Sequence, residues 1–289
     1  MGKFDEQYIK LCEKILSEGI RVSDRTGVGT LEVFGQVLRF NLAEEFPILT
    51  SKFVAWKSAI LEMLWIYQAQ SNDVRWLQER GIKIWDGWKA DENGNYVVEA
   101  QGIDKKLGPE FAHTIGTAYG WVVREYQMVQ RIIKSLKEKP QDRRMVMSLW
   151  QDAHVETATL PSCAWSTQWT VLDGRLNLTL TKRSSDVALG LPFNVTQYAT
   201  LALLLAQVTG HKPGEMLVVI NNAHLYLNHL DSIKEQIKIY HELGCPPAPK
   251  LWINPDIKDF FAFDNSKELK DIRLEDYKYN IKISMPVAI

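Results

Sequence analysis

The chain has 289 residues, 46% of them apolar and 24% charged, which is the composition of an ordinary soluble globular protein. Its 34 basic and 35 acidic residues leave a net charge of −1, and that balance argues against a polymeric nucleic acid as partner, because phosphate backbones call for a strong basic excess. The opening MGKFDEQYIKLCEKIL lacks the apolar stretch of a signal peptide, and the longest apolar run, Ala199 to Val208, is too short to span a bilayer and is broken by Thr200 and Gln207.

In chain order, the spacing of Phe4, Tyr8, Ile9, Leu11, Cys12, Ile15 and Leu16 predicts a helix over 4–18. Arg25-Thr26-Gly27-Val28-Gly29-Thr30 reads as a loop and LEVFGQVLRFNL as the strand that follows it. Residues 53–69 are almost wholly apolar, as in a buried helix. The stretch 86–118, rich in Asp, Asn, Gly and Lys, reads as a loop-dominated excursion from the core. A helix over 125–138 ends before Pro140, and Arg144 to Trp150 reads as a strand. TQWTVL and RLNLTLTK flank Asp173-Gly174, a two-residue hairpin signal. Another apolar helix covers 194–209 and stops at Gly210. A strand over 216–220 then leads to a helix over 224–243, with Asn221-Asn222 suited to cap it. No repeat, low-complexity linker or hinge interrupts the chain, so one domain over 1–289 is expected. Helices and strands mix without regular βαβ alternation, which favours an α+β class.

Six places carry candidate chemistry. The three cysteines, Cys12, Cys163 and Cys245, are odd in number and widely spaced, as free thiols of a reducing compartment are. Cys163, in Leu160-Pro161-Ser162-Cys163-Ala164-Trp165, is either a nucleophile that needs positive charge beside it or a buried structural residue. Arg183-Ser184-Ser185 leaves a strand as a fork of donors for a phosphate, or as an ordinary solvated strand end. Beyond it, Gly190 and Pro192 shape a tight loop and Asn194 opens a helix, its amide able to read one edge of a base. Arg143-Arg144 and Arg25 are further anion candidates or plain surface charges, and no P-loop is present. Glu62 lies within Ala59-Ile60-Leu61-Glu62-Met63-Leu64-Trp65-Ile66, where a carboxylate is costly unless partnered or functional. His224 and His229 are five apart without an acidic third ligand, so no metal is expected. His224 and Tyr226 would instead reach a sugar hydroxyl from a helix start. The ending Met285-Pro286-Val287-Ala288-Ile289 is either a lid over a pocket or a frayed terminus.

The order of these signals resembles the thymidylate synthase family. Arg25-Thr26-Gly27, Glu62, Trp85-Asp86-Gly87-Trp88, Tyr119-Gly120, Arg143-Arg144, Cys163, the block from Arg183 to Asn194, His224-Leu225-Tyr226 and the Pro-Val-Ala-Ile end carry the resemblance over nearly the whole chain. It implies a mixed twisted sheet packed by helices, one sheet face forming a homodimer interface, in a cytoplasmic enzyme that needs neither membrane nor nucleic acid. The implied reaction converts dUMP to dTMP with 5,10-methylenetetrahydrofolate and no metal. Cys163 would attack C6 of uracil, with Arg183 and Asp186 among the catalytic groups. Arg25, Arg183 and Ser184 would hold the 5′-phosphate, joined by Arg143 and Arg144 from the second subunit, with Gln168 a further substrate contact. Asn194 would read the O4/N3 edge, and His224 and Tyr226 the 3′-hydroxyl. Glu62 would manage protons at O4, and Tyr119 would assist loss of the C5 proton. Lys52, Ile84, Trp85, Trp88, Asp186, Gly190, Phe193, Ala288 and Ile289 would form the folate site.

Four positions depart from the family's usual pattern: Ser162 before the cysteine, Ala164 after it, Asn221-Asn222 ahead of the His-Leu-Tyr motif, and Lys182 where Gln is common. The nearest competing activity is a pyrimidine nucleotide hydroxymethylase, which would add water in place of hydride. Asn194 rather than Asp favours uracil over cytosine, because an exocyclic amine needs an acceptor. A silent binding homologue need not keep Cys163 and Glu62 together.

Overall fold

A computed structural model describes residues 2–287. Helix α1 (Lys3–Glu18) turns its apolar stripe of Phe4, Tyr8, Ile9, Cys12 and Ile15 inward. Strands β1 (Ile20–Val22) and β2 (Thr30–Asn41) follow, then helix α2 (Trp56–Tyr67), in which every residue from Ala59 to Tyr67 is buried. Helix α3 (Arg75–Gln78) is a single turn. The 86–118 stretch contains a small hairpin of β3 (Asn95–Val98) and β4 (Ile103–Lys106). The expected 125–138 helix is α5 (Met128–Glu138), preceded by a separate short helix α4 (Gly120–Glu125), with Gln127 at φ 47° between them. The predicted 144–150 strand shortens to β5 (Val146–Ser148), because Arg144 is turned back by bonds of its backbone and guanidinium to Asp142. Strands β6 (Ala164–Leu172) and β7 (Arg175–Asp186) form the expected hairpin, and Asp173 and Gly174 both take the positive φ (48° and 68°) that the tight mirror-image turn requires.

Two expectations fail at the next junctions. Residues Gly190 and Pro192 do not shape a loop; helix α6 (Gly190–Thr209) already starts there. Proline is tolerated in a first turn, whose N–H groups have no helical partner in any case. Strand β8 (Lys212–Tyr226) runs on through Asn221-Asn222, so His224 and Tyr226 leave a strand end and not a helix start. The backbone of β8 is paired on both sides there, Asn222 with Phe34 and Ser184, His224 with Glu32 and Asp186. That double ladder outweighs the local capping tendency of two asparagines. Helix α7 (Leu230–Leu243) begins only after a short turn, and β9 (Lys250–Ile253) and β10 (Ile272–Glu275) close a second hairpin.

The main sheet has the order β1-β2-β8-β7-β6-β5, antiparallel except for the β7–β8 pair, whose crossover is α6. This mixed sheet with helices is an α+β fold, as the sequence indicated. One face carries Leu38, Phe40, Trp169, Leu178, Leu180, Met216, Val218 and Ile220, all at most 3% exposed, beneath α1 and α6. Helix α2 lies on the far side of α6, which explains why both helices are apolar all round. Among the described residues, no helix covers the opposite sheet face, which exposes Val37, Val146 and Leu172.

Candidate active site

A cavity of about 440 Å³ opens where α2, α6, the end of β7 and the 84–88 turn converge. Glu62 enters it from α2. Its two oxygens accept hydrogen bonds from Trp85 Nε1 and Gln197 Nε2, and the residue is 7% exposed. Burial pushes its carboxyl up to about 7, and the two bonds only partly oppose that. Glu62 is therefore a buried, partnered carboxyl and not the tenant of a wet helix stripe.

Across the cavity, Asn194 lies one helical turn before Gln197 on α6. Its Nδ2 donates to Gln197 Oε1 at 2.9 Å, and its Oδ1 accepts from Lys182 Nζ. Tyr119 is clamped in an uncommon backbone conformation (φ 46°, ψ −106°) just before Gly120, where a Cβ would fall 2.0 Å from the Ser71 carbonyl. Its hydroxyl accepts the Cys163 N–H at 3.2 Å. Burial raises the Tyr119 phenol well above its usual range, so it stays protonated and works as a hydrogen-bonding hydroxyl.

Cys163 is half-buried at the cavity's edge, with Ala164 and Leu160 in the wall. Arg183 Nη2 is 3.4 Å from its sulfur. The same guanidinium donates to Pro161 O (2.7 Å) and Ser162 O (3.1 Å), so one arginine holds both the loop and the thiol. A fixed cation against a reachable sulfur is the setting a nucleophilic cysteine needs. The other two cysteines lack it. Burial drives Cys12 up to about 12 and also raises Cys245, which removes their thiolates at neutral pH.

Lys52, Ile84, Trp85, Trp88, Asp186, Gly190 and Phe193 all line the cavity. Lys52 is buried, donates to Ala188 O, and is pulled down to about 8 by desolvation. Asp186 shapes the β7–α6 turn by accepting the Ala188 and Leu189 N–H groups. Ala288 and Ile289 lie outside the described residues, but Val287 reaches the cavity and His229 Nε2 holds the Pro286 carbonyl at 2.6 Å. On the neighbouring strand ends, Ser184 Oγ sits 3.4 Å from His224 Nδ1, and His224 packs edge-on to Tyr226 with ring centroids 5.3 Å apart. Burial lowers the His224 imidazole, and Asn222 Oδ1 accepts its Nδ1–H at 2.8 Å. Arg25 is exposed on its loop, bonded to Gln101.

Like Arg25, the predicted residues Arg143, Arg144 and Gln168 do not line this cavity within one chain. Arg143 and Arg144 are exposed and line a separate surface depression, with Arg144 paired to Asp142. Gln168 points from the uncovered sheet face, because strand alternation sends Thr167 and Trp169 inward. The sequence reading missed Gln197, whose signal was an amide three residues after Asn194 in an otherwise apolar helix. It also missed the partners of Lys182 and the grip of His229 on the tail. Among the described residues no group of three His, Cys, Asp or Glu could hold a metal ion, and no helix is long and apolar enough to cross a membrane.

A sequence profile described as thymidylate synthase matches residues 6–289. The chain belongs to the thymidylate synthase family. It is 44% identical over 289 residues to a thymidylate synthase of Clostridium beijerinckii, with the whole of both chains aligned. Its fold is similar to the thermostable thymidylate synthase A from Bacillus subtilis, with a TM-score of 0.84, 37% identity and 99% of each chain covered. Membership makes this chain a transferase of nucleotide biosynthesis.

Proposed function

We propose that the chain, acting as one catalytic domain in the cytoplasm, converts dUMP to dTMP with 5,10-methylenetetrahydrofolate as co-substrate. The observation that carries this reading is Arg183 against the Cys163 sulfur at the edge of a cavity whose wall holds Glu62 poised near neutral pH. The Cys163 thiolate adds to C6 of the uracil ring, and the electron pair displaced from the C5–C6 double bond gathers on C5 and O4. Asn194 meets the O4/N3 edge with one donor and one acceptor. Glu62 moves a proton to and from O4. Tyr119, held on the Cys163 N–H, borders C5 and assists loss of its proton. Arg183 and Ser184, with Arg25 from its loop, take the 5′-phosphate, and His224 and Tyr226 the 3′-hydroxyl.

The cavity suits a reduced folate. Trp85, Trp88, Phe193 and Ile84 make flat apolar walls for a fused ring, with the Lys52 amine and the Asp186 carboxylate at its polar end. The folate supplies the one-carbon unit and the hydride. The aromatic walls and the tail near Val287 exclude water from the carbon that receives them.

The uncovered sheet face supports a homodimer closed through it. Arg143 and Arg144, which line a separate depression of their own chain, would then serve the partner's nucleotide. Incubation with 5-fluoro-dUMP and the folate is expected to leave a covalent adduct on Cys163, seen by mass spectrometry and absent in Cys163→Ala. No adduct in the unsubstituted chain would overturn the mechanism, and a 5-hydroxymethyl product from dUMP would overturn the methyl transfer.

A further inference from the structure

Glu62 is a buried carboxyl with no cation paired to it. Among the described residues it takes part in no ion pair. The titratable groups that face it are phenols: Tyr67 on its own helix, Tyr119 ahead of α4 and Tyr198 on α6. Burial raises all three, so none carries charge near neutral pH. The Lys182 ammonium on β7 is bonded to Asn194 and not to the carboxyl. What replaces the lost hydration of a Glu62 carboxylate is therefore two N–H groups, Trp85 Nε1 on one oxygen and Gln197 Nε2 on the other. Both bonds favour the ionised form and oppose the effect of burial.

Gln197 differs from Trp85 in having a second polar end. An ionised carboxylate only accepts, so Gln197 turns its Nε2 toward Glu62 and its Oε1 back along α6. Asn194 lies three residues earlier on the same helix face, and its Nδ2 donates to that oxygen at 2.9 Å. With its acceptor filled at one end and its donor filled at the other, the Gln197 amide is polarised along the chain, each bond strengthening the next. Gln197 is 3% exposed, which closes both ends to bulk water. Glu62, Gln197 and Asn194 all line the cavity.

We propose that Gln197 is a positioning residue of this site, the tether through which the Asn194 amide helps to hold the Glu62 carboxylate. In the reading above, Asn194 meets the O4/N3 edge of the base and Glu62 serves O4, so one amide sets the reader and the proton carrier at a fixed spacing. That consequence rests on the dUMP reading; the tether itself does not.

Gln197→Met removes both polar ends at nearly the same length. The Glu62 carboxyl, followed by 13C NMR in protein without nucleotide and assigned through Glu62→Gln, is expected to titrate about one pH unit higher in this variant, the worth of one hydrogen bond to a charged group. The pH profile of kcat/KM for dUMP is expected to move in the same direction. An unmoved midpoint in the folded Gln197→Met protein overturns the positioning role, and a purely structural glutamine would lower Tm without moving it. Asn194→Ala tests the tether: it is expected to raise the Glu62 midpoint by about 0.3 unit when Gln197 is present and to leave it unchanged in Gln197→Met. Equal shifts in the two backgrounds overturn the tether. If the unsubstituted chain left dUMP unchanged, the proposed function would fail while the titration still judged Gln197.

Discussion

A single carboxyl shows how environment assigns a role. Folded Glu62 keeps its proton up to about pH 7, whereas the unfolded chain releases it near the ordinary value of 4.5. Between those values the folded state binds more protons, so stability falls as pH rises through the window, by on the order of 3 kcal/mol, and then levels off. Glu62→Gln is expected to flatten that decline, gaining Tm on the parent above about pH 7, while turnover drops by roughly 10²–10⁴. Parallel Tm curves for the two proteins would show that the carboxyl is not desolvated as described. Glu62 was legible in the sequence because a charge inside an apolar octet is conspicuous. Gln197 was not, since an uncharged amide in a helix raises no alarm until its partner is known. Lys182 was noticed only as a departure, for nothing in a linear sequence says that its ammonium ends buried on an amide.

At the level of elements, what survived from the sequence was periodicity. Helix α1, strand β2, helix α2 and the β6–β7 hairpin stand close to where their patterns put them. The errors fall where tertiary pairing overrides a local signal. Asn221-Asn222 resembles a helix cap, yet two flanking strands claim its backbone. Gly190 and Pro192 resemble a loop, yet they begin α6. The misplaced helix start put His224 and Tyr226 on the wrong kind of element; the end of β8 sets His224 beside Ser184 and Tyr226 against His224. An exacting local fit beside the cavity is the Tyr119-Gly120 junction. Gly120→Ala drives a methyl into the Ser71 backbone, and overpacking of that kind typically costs about 1–3 kcal/mol. Scanning calorimetry is expected to show Tm lower by several degrees, and kcat is expected to fall because the Tyr119 hydroxyl loses its place on the Cys163 N–H. An unchanged Tm would mean that the junction yields easily.

For the whole molecule, the unanswered feature of one chain is a sheet with helices on one face only. Val37→Asp, at a position 60% exposed in the lone chain, is expected to shift the protein from dimer to monomer in sedimentation and to abolish turnover. A fully active monomer would refute the shared site. Mixing a chain substituted at Arg143 and Arg144 with a Cys163→Ala chain is expected to restore activity, through hybrid dimers that hold one complete site. No recovery would place those arginines outside the reaction.

The flanks of the sheet bear on how such chains meet. Strand β1 at one border and β5 at the other are three residues each. Borders that short give an incoming strand too few backbone groups to zip onto. In the proposed homodimer, contact between copies would be steered onto the broad face, where a two-fold arrangement uses up its own surface and stops at two. A chain with a bare sheet face would gain from this, because the stickiness of that face would end in the proposed pair and not in a fibre.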